Sequence, residues 1–111
     1  MATRKYTHLE LGKDIAAGIA GYYTPEKEVR LNYNGREVLY VTGRAVVEAA
    51  CCGMANWGYA LVPGYIVRWQ GEKNQNGLPV TEVEPILDKE TQQALKQVIE
   101  SQETVTQVQF W

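Results

Sequence analysis

The chain has 111 residues and a mass of 12.5 kDa, the size of one domain built around one core. Leu, Ile, Val and Phe account for 26 of the 111 residues, about 23% and above the level at which chains stay disordered, and two cysteines exclude a disulfide scaffold. Eleven basic and 13 acidic residues leave a net charge of −2, and the basic residues are scattered, so a phosphate-neutralising nucleic-acid surface is not expected.

In the first twenty residues Glu10, Lys13 and Asp14 interrupt any apolar run, so no secretory signal is read there. The cytoplasm is the expected compartment, with both cysteines kept as thiols. Leu9-Glu10-Leu11 reads as extended. Residues 14–21 fit either a helix or a glycine-loosened strand.

Asn34-Gly35 predicts a type I′ hairpin turn, because both residues accept the positive φ that such a turn demands. Placed at the tip, it pairs Tyr33 with Arg36, Leu31 with Val38 and Val29 with Tyr40. Val29, Leu31, Tyr33, Val38 and Tyr40 then share one face, with Arg30, Asn32 and Glu37 on the other. Residues 41–50 read as a continuation of this strand with a bulge at Gly43, in preference to a short helix capped by Thr42.

From Ala49 to Val67 there is no charged residue. The stretch is nominally long enough to span a bilayer, but Gly53, Asn56, Gly58, Pro63 and Gly64 and its strand-like flanks favour buried structure, without a membrane. Trp57, Tyr59 and Leu61 alternate as a strand. Val62-Pro63-Gly64-Tyr65 fits a type II turn, and a second strand follows in which Tyr65, Val67 and Trp69 share a face.

Residues 72–79 are polar turn formers and predict a loop. Residues 80–86 predict a short strand or extended arm that ends at Pro85. Asp88 opens the clearest helix, running to about Gln102, with Thr91, Ala94, Leu95, Val98 and Ile99 as its apolar stripe. Residues 104–111 return to β-branched and aromatic types and predict a final strand.

Together these elements predict a single α+β domain over residues 1–111. Its sheet is mainly antiparallel, with about five or six strands, and one C-terminal helix packs on a face.

Three groups of residues are candidates for chemistry. Cys51 and Cys52 are adjacent, so in a strand their thiols point to opposite faces and do not easily serve one site. Core packing is their simplest role. A reactive thiol, or a metal or iron-sulfur centre shared between chains and completed by His8, the only histidine, is the alternative. Glu48 lies among apolar neighbours, so burial would require a partner such as Arg44 or Arg68. Glu48, Gly53, Trp57, Tyr59 and Arg68 form a candidate pocket. An enzyme site built from Glu48, Arg44 and Tyr59 at a subunit interface is a third reading. The chain contains no HExxH, GxGxxG or GxxxxGK[ST] motif.

The aromatic residues outnumber what one small core holds, and residues 105–111 carry neither charge nor proline. Such an edge invites pairing with another chain, so the expectation is a homo-oligomeric binding or assembly module, most simply a dimer. Its small-molecule ligand is not legible.

Overall fold

The computed structural model describes residues 3–18, 21–49 and 53–111, and side chains within residues 3–15, 23–46 and 57–111. Asn34 and Gly35 adopt φ of 51° and 79°, the positive values that match the twist of two paired strands. They join β2 (Gly21–Tyr33) to β3 (Arg36–Ala49). Tyr33 lies opposite Arg36, Leu31 opposite Val38 and Val29 opposite Tyr40, as the turn chemistry predicts. Residues 41–49 continue as strand. The bulge falls across from Gly43 rather than on it, because Glu26 is the extra residue between Pro25 and Lys27 of β2.

β4 (Gly53–Lys73) runs through the sequence expected to turn. Pro63 and Gly64 do not reverse the chain, and their surroundings explain why. On the β3 side the register slips between Leu39 and Val41, so Val62 and Pro63 share one bulge. On the other side, pairing with β6 (Gln107–Phe110) ends at Val62, and pairing with β5 (Pro79–Glu84) begins at Tyr65. Proline has no N–H to offer a ladder, and a bulge at such a joint is where a sheet tolerates it. Gly64 has φ of 145° and lies so close to the Glu84 carbonyl that a Cβ would overlap it.

A second slip at Val67, between Ile66 and Arg68, sends Tyr65 and Trp69 to opposite faces. The sequence alternation had put them together.

The N-terminal segment differs from the sequence reading. After β1 (Arg4–Tyr6), residues His8–Gly18 form α1, which includes the Leu9-Glu10-Leu11 stretch read as extended. The Glu10 carboxylate accepts from the Thr7 N–H at 2.6 Å, and the Thr7 hydroxyl accepts from the Glu10 N–H at 3.3 Å. This reciprocal capping box closes the helix start. Leu11 and Ile15, one turn apart, are buried.

At the other end Asp88 caps α2 (Lys89–Gln102), accepting from the Thr91 N–H at 3.1 Å and its hydroxyl at 2.6 Å.

The architecture is α+β, with a six-stranded sheet and, among the described residues, two helices where one was expected. The order is β1-β5-β4-β3-β2, and β6 pairs with β4 as the single parallel pair among the described residues. Apolar clusters lie on both sides of the central strands. One joins Leu39, Val41, Tyr59, Leu61 and Val83 with Tyr6, Leu11 and Ile15. The other joins Val38, Tyr40, Ala60 and Val62 with Ile86, Leu95 and Ile99. Burial on both faces explains why residues 38–41 and 59–62 are unbroken apolar runs. No helix among the described residues is long and apolar enough to cross a membrane.

Candidate functional site

Where α2 ends, the chain passes through residues 103–106 before entering β6. This connector and the sheet beneath it enclose a cleft of about 640 Å³. Glu26, Lys27, Thr42, Arg44, Trp57 and Gly58 line the sheet side, and residues Gln102 to Thr106 line the other. The Thr106 N–H donates to the Gly58 carbonyl at 2.8 Å and ties the connector down.

The charges of the cleft pair with one another. Lys27 Nζ lies 2.8 Å from Glu103 Oε1, and Arg44 Nε lies 3.0 Å from Glu26 Oε1. The Tyr40 hydroxyl reaches Gln102 at 3.3 Å and Glu103 at 3.5 Å. Burial first, then the Glu103 charge, pushes the Tyr40 phenol above its ordinary value. Two carboxylates and two cations suit a polar ligand held by charge-assisted hydrogen bonds.

Of the residues singled out from sequence, Arg44 and Trp57 line this cleft. Tyr59 does not: it is buried in the first cluster, and burial raises its phenol to about 12. Arg44 lies opposite Gly58 and Tyr59 opposite Gly43, so consecutive register positions put Arg44 and Tyr59 on opposite faces. Arg68 is exposed near the far end of β4. The backbone of Glu48 lies opposite Met54, fourteen residues from Arg68, which at about 3.3 Å per residue separates them by tens of ångströms. Arg44 shares a strand with Glu48 four residues on, about 13 Å along it, and pairs with Glu26 instead. Gly53 opens β4 opposite Ala49. The Glu48 side chain, Cys51 and Cys52 lie outside the described residues.

His8 sits at the start of α1, with Nε2 3.6 Å from Glu28 Oε1, and the Tyr6 hydroxyl donates to the same oxygen at 3.0 Å. The His8 imidazole and, against the opposing effect of burial, the Tyr6 hydroxyl hold the Glu28 carboxyl below the usual carboxylate range. Burial and the Glu28 charge together push the Tyr6 phenol far above its ordinary value. These three residues link β1, α1 and β2. Among the described residues no group of three or more His, Cys, Asp or Glu is placed to hold a metal ion.

A second recess of about 400 Å³ runs between α2 and β6. Val108 and Phe110 form its apolar floor, and Lys89, Glu90, Gln92, Gln93 and Lys96 its polar rim. Among the described residues β6 pairs with β4 alone, so its other edge is unpaired. The aromatic end of the chain packs within the monomer. Trp111 meets Tyr6 edge-on at 5.8 Å between ring centroids, and the Arg4 guanidinium lies 4.0 Å over the Trp111 ring. Glu26, Lys27 and Glu103, which complete the cleft, carried no sequence signal, because they come from two segments far apart in the chain.

No family model, curated protein or solved structure matches this chain.

Proposed function

We propose that this domain is a small soluble binding or assembly module that acts as a homo-oligomer. The observation that carries the reading is the contrast among the sheet's outer strands. β2 presents Pro25, Glu26, Lys27, Glu28 and Arg30, and β1 is only three residues long with Arg4 and Lys5. Both are guarded in the way that natural sheets discourage pairing. The segment from Val105 to Trp111 has neither charge nor proline, yet among the described residues β6 is paired on one side only.

The charged groups of the cleft are already matched to one another, which favours binding over acid–base chemistry. Light scattering of the purified chain at micromolar concentration tests the reading. A mass of at least twice 12.5 kDa supports it, and a mass of 12.5 kDa overturns it.

A further inference from the structure

We infer that the assembly contact is the free edge of β6, paired antiparallel across a two-fold axis with β6 of a second copy. The inference rests on the homo-oligomer reading and adds to it a surface and a register. The Trp111 N–H donates to the Val62 carbonyl at 3.0 Å. Successive residues of a strand direct their backbone groups to alternate edges. Thr106 lies at a bend before the strand, and within β6 Phe110 pairs with Val62 beside Pro63, which has no N–H to give it. Gln109 therefore faces β4 as Trp111 does, and the N–H and C=O groups of Val108 and Phe110 face outward.

A two-fold axis through Gln109 satisfies all of these outward groups. Val108 exchanges hydrogen bonds with Phe110 of the second copy, and Phe110 does so with Val108 of the second copy. On the face that carries the α2 cluster, this register sets a β-branched residue beside an aromatic one, a favourable cross-strand pair. The floor of the recess, Val108 and Phe110, thereby continues into its own symmetry copy.

The rim is also self-complementary, since Lys89, Lys96 and Glu90 carry both signs. A two-fold operation brings like surfaces together, and a mixed rim avoids the repulsion that a single sign would cause. These features select a second copy of this chain as the occupant.

The register places Gln109 directly opposite Gln109 of the second copy, in the close pair of the ladder. There Cα atoms are about 4.5 Å apart, within disulfide range. Under mild oxidation Gln109→Cys is expected to give a covalent dimer on a non-reducing gel, while the parent chain and Gln107→Cys remain mostly uncrosslinked. In Val108→Pro the outward donor is lost and the ladder to β4 is retained, so the mass in solution should halve. If the parent chain is an oligomer, yet Gln109→Cys crosslinks no better than Gln107→Cys, the surface is wrong and the assembly reading stands. A parent chain that is monomeric overturns both.

Discussion

The two faces of the central sheet bury their apolar residues in different company. On the α2 face, Val38, Tyr40, Ala60, Val62, Ile86, Leu95 and Ile99 form a cluster accompanied by buried Thr42, and the Tyr40 hydroxyl within it has carboxylate and amide acceptors. On the α1 face, Tyr6, Leu11, Ile15, Leu39, Leu61 and Val83 are accompanied by Arg4, His8, Asp14, Glu28 and Thr81. Nε and Nη2 of Arg4, Oδ2 of Asp14 and Oγ1 of Thr81 are buried without a hydrogen-bond partner among the described residues. Burial raises the Asp14 carboxyl and lowers the Arg4 guanidinium, each against the attraction of the other.

Unpartnered buried polar atoms cost stability. The α2 face therefore contributes through apolar burial. The α1 face depends more on close fits and on ionisation, and four measurements test that division.

The largest effect is expected at Ile99, fully buried on the α2 face. Ile99→Ala should cost about 2–5 kcal/mol in denaturant unfolding. A loss below about 1 kcal/mol would show that α2 is not a principal cover of the core.

On the α1 face the strongest effect is steric. A Cβ on Gly12 would overlap the Tyr23 ring, whose hydroxyl donates to the Leu9 carbonyl at 3.2 Å. Alanine is a better helix former by about 1 kcal/mol, yet displacing the ring should make Gly12→Ala destabilising by about 1–3 kcal/mol. A gain in stability would break the proposed seat of α1.

Thr7→Ala removes one half of the capping box and should cost about 1 kcal/mol. Amide exchange should rise first in the opening turn of α1. Unchanged exchange there, with α2 as the internal standard, would count against the cap.

The smallest effect concerns pH. Because Glu28 titrates below its ordinary value of 4.5 in the folded protein, the native state binds fewer protons than the unfolded chain through that window. Its contribution is fully present above 4.5 and is lost as pH falls through the lowered folded value. Glu28→Gln should therefore flatten the acid limb of the stability curve. An acid limb as steep as that of the parent chain would show that Glu28 is not held by His8 and Tyr6.

Much of the fold was legible where the determining interactions are local. Asn34-Gly35 set the register of β2 against β3 through backbone φ alone. Asp88 and the stripe through Leu95 and Ile99 marked α2 by a cap and a period. The Trp57, Tyr59 and Leu61 alternation also held, with all three side chains at the first cluster.

Elsewhere a local signal was present but outweighed. The pattern Leu9-Glu10-Leu11 resembles a strand, whereas Thr7 and Glu10, three residues apart, spell the capping box that the structure uses. Pro63-Gly64 carries the chemistry of a turn. It becomes a bulge because β3 on one side and the β6-to-β5 joint on the other hold the chain extended.

The candidate site was legible only at Arg44 and Trp57. Its ion pairs join Lys27 to Glu103 and Glu26 to Arg44, residues that no spacing rule connects. The pocket proposed from Glu48, Gly53, Trp57, Tyr59 and Arg68 drew on a stretch that β4 spreads along its length and over both faces.

By itself, then, the sequence determined what neighbouring residues decide: the hairpin tip, the span of α2, and which side chains of residues 29–40 lie together. Hydrogen bonds and φ preferences within a few residues suffice for these. Only the tertiary structure decided that β4 is continuous, that β6 runs parallel to it at Tyr59–Val62, and that the end of α2 meets Arg44 and Trp57 across a cleft. Each of these depends on a partner strand or connector distant in the chain, whose packing outweighs a turn preference of about a kilocalorie per mole.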